Sequence, residues 1–223
     1  MRLAKPLIGS AILIGLMLAA SAYAWGHLGD GPIPTHFGIG GRPDGFTPKL
    51  PGVVLMPIIA GVLTVLLSGL PAIMPANARL ERSWGPYVVV WLATLALLLA
   101  VHLAMLAYAL GVQVDMARGV VVCVGALIAV IGNLLGKVRY NYVFGIRTPW
   151  TLSNERVWDR THRFAGWAMT LGGLFALAVG LAAPAALEKD LHWALLAGVL
   201  TPVLASVIYS FLENRRIERI SPV

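Results

Sequence analysis

Residues 86–110 read PYVVVWLATLALLLAVHLAMLAYAL, twenty-five positions without one Lys, Arg, Asp or Glu. A helix of that length is about 37 Å long, enough to cross a hydrocarbon core of roughly 30 Å. Five further apolar runs flank it, at about 6–24, 51–74, 118–136, 163–185 and 192–212. The whole chain is 58% hydrophobic and 12% charged, against roughly 45–50% and 25% in a soluble domain. The expected class is an all-α integral membrane protein, a six-helix transmembrane bundle. Six spans take up well over half of 223 residues, so a separate soluble catalytic domain is excluded. Function is expected within the bundle or on its two substantial loops. The expected organisation is an N-terminal three-span unit, residues 1–110, with an outer loop at 25–50, and a second three-span unit, 111–223, with a cytoplasmic loop at 137–163.

Cations set the expected orientation, because Lys and Arg collect on the cytoplasmic side. With a cytoplasmic N-terminus, Arg2, Lys5, Arg79, Arg82, Lys137, Arg139, Arg147, Arg156, Arg160, Arg163, Arg215, Arg216 and Arg219 lie inside. Only Arg42, Lys49, Arg118 and Lys189 lie outside, thirteen cations against four. Glu81, Glu155, Asp159, Glu213 and Glu218 fall inside and Asp30, Asp44, Asp115, Glu188 and Asp190 outside. The net charge of +7 thus records topology and attraction to an anionic inner leaflet, with no direct nucleic-acid binding expected. The basic start and the Ala22-Tyr23-Ala24 ending of the first run also suit a cleaved signal peptide; an uncleaved first helix is the expectation. Cys123 has no second cysteine to pair with.

The outer loop, WGHLGDGPIPTHFGIGGRPDGFTPKLPG, is expected to be a compact turn-rich lid. Pro32 and Pro34 favour an extended start, Pro43 presets a turn and Gly45 tolerates positive φ. His27, Asp30, His36, His102 and His192 come to the outer side and are weak candidates for a metal; their spacing fits no ligand pattern, and no metal or other cofactor is expected. His102, inside a span, is expected to hydrogen-bond to a neighbouring helix.

Residues 136–167, GKVRYNYVFGIRTPWTLSNERVWDRTHRFAGW, are the polar exception among apolar runs. Gly132 and Gly136 permit close helix approach, with Asn133 placed to bond across it. Tyr140, Tyr142, Phe144 and Trp150 suit the headgroup interface. Ser153 is expected to cap an amphipathic helix that starts at Asn154 and merges into the fifth span, with Val157, Thr161, Phe164 and Ala168 at helical spacing. Arg147, in a turn stiffened by Gly145 and Pro149, is expected to make a fork-like contact to a carboxylate, with Glu155 nearest in sequence. The plainer reading is a connector whose cations touch lipid phosphate. Glu155, Asp159 and His162 among those cations are compatible with a salt-bridge net, a docking face or an acid/base pair, since Asp159 can reach His162 or Arg163.

This segment resembles the signature of the SdpI family of bacterial membrane immunity proteins, with its Gly-Lys-Val-Arg start, its Phe-Gly-Ile-Arg-Thr-Pro-Trp-Thr-Leu core and its Val-Trp…Thr-His-Arg…Gly end. The outer IPTHFGIGGRPDGFTPK is similar to a membrane domain of unknown function that often precedes it. The resemblance implies a bacterial inner-membrane protein giving resistance to a secreted antimicrobial peptide toxin and docking a small winged-helix repressor, while the cation split puts both termini in the cytoplasm. Membrane lipids are the remaining expected partner. It implies no enzymatic chemistry, and marks Asn141, Arg147, Thr148, Pro149, Trp150, Glu155, Trp158, His162 and Arg163 in the inner motif, with His36, Asp44 and Gly45 in the outer one. The alternative is a membrane-embedded enzyme, either a metal-assisted hydrolase using outer His and Asp residues or an acid/base catalyst using Glu155 and His162. A small transporter is disfavoured by the lack of paired broken helices and of an intramembrane carboxylate.

Overall fold

The computed structural model describes residues 3–74, 80–184 and 190–220. Arg2, Arg79, Glu188 and Lys189 of the charge split lie outside the described residues. Among the described residues six helices are long and apolar enough to cross a membrane: α1 (Ala4–His27), α2 (Lys49–Ile73), α3 (Trp84–Ala109), α4 (Met116–Leu135), α6 (Glu155–Ala182) and α7 (Leu191–Ile220). A short α5 (Pro149–Ser153) precedes α6, and strands β1 (Ile33–Phe37) and β2 (Pro43–Thr47) lie between α1 and α2. Large apolar side chains such as Leu66, Leu171 and Ile208 remain exposed along the helices. A bundle solvated by lipid leaves such residues outside and spends its small and polar residues on helix contacts.

Helix α6 packs most closely, on α4 and on α7, and α1 packs on α2 and α3. Glycine makes the first set possible. A Cβ on Gly132 would sit 2.3 Å from the Thr170 nitrogen, and one on Gly173 2.3 Å from that of Ala129, so α4 and α6 meet backbone to backbone. On the other face of α6, a Cβ on Gly172 would lie 2.2 Å from the Gly198 carbonyl oxygen of α7. That carbonyl is the one Pro202 leaves without its intrahelical donor, and it is covered by the glycine facing it. The α1–α3 set instead packs larger side chains, Met17, Tyr87, Trp91 and Leu95, in a core that also receives Val143 and Phe144 from the connection after α4.

The sequence expectations for the outer loop need two corrections. The turn-rich lid is an antiparallel hairpin, with Ile33 opposite Thr47 and His36 opposite Gly45, and its register is irregular around His36. Its reversal falls at Gly38–Arg42, where Gly38 N–H donates to the Arg42 carbonyl at 2.9 Å and Gly41 adopts φ +71°. Pro43 therefore opens a strand, and Gly45 is a strand residue whose missing side chain makes room for His36, since a Cβ there would lie 2.8 Å from that of His36. Ile33 packs with Ala24, Val53 and Met105, and Phe37 meets Tyr108 edge to face at 5.2 Å. The amphipathic segment does merge into the fifth span, as one helix from Glu155 to Ala182, but its cap is Asn154, which accepts from the Arg156 and Val157 amides. Ser153 instead ends α5.

Candidate functional site

Both ends of the described chain meet the connection after α4, because Leu3 packs in the same core as Val143 and Phe144 and Ser210 of α7 is bonded by Trp150. Residues 136–148 cross this end of the bundle as an irregular strap. A strap without ladder partners must satisfy its backbone groups from side chains. Asn141, fully buried, donates to the Arg139 carbonyl at 2.8 Å and accepts from the amides of Val143 and Phe144 at 2.7 and 2.9 Å. Ser83, just ahead of α3, accepts from the Arg139 amide at 2.9 Å and donates to its carbonyl at 3.2 Å. Trp158 of α6 donates its indole N–H to the Val138 carbonyl at 3.0 Å.

His162 completes the clamp. The Ile146 amide donates to its Nε2 at 3.0 Å, which leaves that nitrogen without a proton. Its Nδ1, 2.9 Å from the Trp158 carbonyl, must then carry the proton and donate. The ring is 1% exposed and stacks on Trp158 at 3.9 Å. Gly145 is held at φ +123°, and a Cβ on it would lie 2.4 Å from His162 Nε2. Thr148 and Thr151 cap α5 reciprocally, with Pro149 at the first helical position, and Thr151 also donates to the Ile146 carbonyl at 2.8 Å. Trp150 donates to Ser210 of α7 at 2.6 Å and meets Phe211 edge to face.

The inner-motif residues thus divide by role. Asn141, Thr148, Pro149, Trp150, Trp158 and His162 build the strap, while Arg147, Glu155 and Arg163 are exposed around it. The expected Arg147 fork to Glu155 is absent: its guanidinium lies 3.5 Å from the Val143 carbonyl and meets no carboxylate among the described residues. The stiffness of that turn serves the contact with His162. Asp159 bonds neither His162 nor Arg163, and both His162 nitrogens are occupied, so the structure does not assemble the acid/base pair with Glu155. Asn133 is exposed and makes no bond across the α4–α6 contact. Sequence reasoning missed the site roles of Ser83, Thr151, Ser210 and Glu213, and read Tyr140 only as a ring at the headgroup interface. Tyr140 donates to the Leu152 carbonyl at 2.5 Å, and buried Glu213 holds Arg160 across to α7; only the spacing of polar residues within an apolar α7 pointed toward Ser210 and Glu213.

At the opposite end the candidate ligands are dispersed. His36 Nδ1 and Asp44 Oδ1 lie 2.5 Å apart on the exposed hairpin, and His27 stacks on Tyr23. Asp30 is 3.8 Å from Lys49, and His192 lies against Trp193. His102 is fully buried, 2.9 Å from Ser21 of α1, whose hydroxyl also reaches the Val53 carbonyl of α2 at 2.7 Å. Among the described residues no three His, Cys, Asp or Glu side chains come together.

Comparison with known proteins falls on the same two places. Residues 137–210 match the SdpI/YfhL protein family. The SdpI/YfhL segment begins where α4 ends and closes at Ser210, the residue that receives Trp150. Residues 12–61 match a domain of unknown function, DUF1648, and take in most of α1, the hairpin and half of α2. The chain is 35% identical over 85 residues to the immunity protein SdpI of Bacillus subtilis (strain 168), an overlap of 38% of this chain and 41% of the relative. The alignment therefore spans about two fifths of that relative's length. No solved structure shows a significant match.

The strap makes a stability prediction that separates its two residue classes. Gly145→Ala, which drives a methyl into His162 at a positive φ, should cost about 2 kcal/mol or more. Arg147→Lys, at an exposed position, should stay within about 0.5 kcal/mol of wild type. Thermal melting in detergent checks both, and equal effects would refute the division.

Proposed function

We propose that the protein is a membrane immunity and signalling protein of the bacterial inner membrane, conferring resistance to a secreted antimicrobial peptide toxin. Residues 1–110 and 111–223 act as two three-span units. Both termini and the strap face the cytoplasm, as the thirteen-to-four distribution of cations supports. The hairpin faces outward, where a peptide toxin arrives. The strap presents a docking face for a small winged-helix repressor.

One observation carries this reading. The strap is tied at once to α3 through Ser83, to α6 through Trp158 and His162, and to α7 through Trp150. A displacement of any of these helices is therefore felt by the exposed residues Arg139, Tyr142 and Arg147 between the ties. A route from the hairpin is also built. Gly41 lies against the start of α4, where a Cβ would be 2.9 Å from the Ala117 nitrogen. The next residue, Arg118, donates to the Gly180 and Ala183 carbonyls at the far end of α6. Helices α4 and α6 then run, in backbone contact, to the strap. The match of residues 137–210 to the SdpI/YfhL family and the 35% identity to an immunity protein over 85 residues support the same reading.

Cells sensitive to the peptide toxin and lacking an immunity protein of this family should survive it when they express this chain. Arg147→Glu should keep the protein folded and the cells protected while weakening recruitment of the repressor to the membrane. Killing of cells that carry correctly inserted protein would overturn the reading. Sidedness is checked separately, by impermeant thiol labelling in a Cys123→Ala background. Ile39→Cys should label in intact cells and Arg156→Cys only after permeabilisation, and the reverse pattern would invert the topology.

A further inference from the structure

We infer that the groove between the end of α4 and the facing turns of α6 binds the headgroup of an anionic phospholipid. The groove encloses about 300 Å³, at the lower end of the range of ligand sites. Its floor is glycine backbone: a Cβ on Gly166 would lie 3.1 Å from the Gly136 nitrogen, so no side chain fills the space between the helices. Lys137 and Arg163 border it, both exposed, and neither has an ion-pair partner among the described residues. Trp167, one turn further along α6 than Arg163, forms a wall and is 74% exposed.

Depth selects the occupant. Lys137 follows the last turn of the α4 span, and Arg163 lies where the polar start of α6 gives way to its apolar run, so both cations stand at headgroup level. An indole one turn deeper sits at the boundary where Trp settles in a bilayer. Lipid is what covers an exposed surface at that depth. Two uncompensated cations favour a headgroup with net negative charge, because a zwitterionic one sets its own cation against them. Asn133, exposed on the same groove and without a hydrogen bond among the described residues, adds an amide donor for a phosphate or glycerol oxygen.

The neighbouring hollows fit an anion less well. On the α7 side of Arg163 the wall includes Glu213, which already pairs with Arg160. Toward the strap, Arg139 and Arg163 share their hollow with Asp159. The α4 side alone of these three is lined by cations without a carboxylate. Basic pockets between spans are a recurrent way to hold acidic lipid, and this one stands whether or not the protein confers toxin resistance.

Native mass spectrometry of the full chain, released from detergent with equal phosphatidylglycerol and phosphatidylcholine, tests the inference. Wild type should retain phosphatidylglycerol in preference. Lys137→Gln and Arg163→Gln should each lower that retention about fivefold, and together should abolish the preference. Arg156→Gln and Arg147→Gln, exposed cations outside the groove, should leave it unchanged, with melting in phosphatidylcholine nanodiscs confirming that the four single variants and the double variant are folded. Inorganic phosphate at millimolar concentration should not displace the lipid; displacement would mean that the groove reads a free anion. Equal retention of the two lipids, or equal loss in the groove and control variants, would overturn the site.

Discussion

Past Lys137 and Val138, whose amides still bond to the end of α4, the strap to residue 148 has no helix or sheet to satisfy its backbone, and the contact that completes its closure is the Ile146 amide on the buried ring of His162. An unsatisfied amide beside a membrane is costly, so the imidazole must be neutral, fixed in one tautomer and held at one height on α6. Stacking on Trp158 and the bond to its carbonyl provide that. Gly145 follows as a necessity, because only a residue without a side chain passes the ring at this distance. The positions of Thr151, α5 and Trp150 are then set in turn, since each begins where the previous tie ends.

A second constraint is the glycine contact of α4 with α6 and of α6 with α7. Lipid offers little hydrophobic reward for bringing helices together, so close backbone packing has to supply it. Those contacts make α6 the common element of the second three spans, with the strap clamped on its polar start and Arg118 bonded to its far end. The cations around the strap are a separate layer. Arg160 is drawn into the scaffold by Glu213, whereas Lys137 and Arg163 have no ion-pair partner among the described residues.

The six spans were legible because a 30 Å apolar slab imposes a length and composition that few other structures require. The continuity of the interfacial helix with the fifth span was legible as well, from the helical spacing of Val157, Thr161, Phe164 and Ala168. The hairpin was not, since Pro34, Pro43 and Gly45 argue against strands; a two-stranded pair with irregular register accommodates them, and the Thr35–Thr47 hydroxyl contact at 2.6 Å joins residues twelve apart. The motif residues were identified through resemblance, but their roles were not. Ile146 and His162 are sixteen positions apart, and Ser83 and Arg139 fifty-six, so neither contact leaves a local pattern. Arg147 was misread for a related reason: a stiff turn was attributed to the charged residue on it, whereas the stiffness belongs to the neighbouring glycine and the ring it passes.

Hydrogen exchange at the Ile146 amide, followed with the full chain in nanodiscs, tests the clamp most directly. Protection comparable with the interior of α6 in wild type, lost across residues 141–148 in His162→Phe while α4 and α6 stay protected, is the result this account predicts. Rapid exchange at Ile146 in wild type, or unchanged protection after removal of the imidazole, would contradict it.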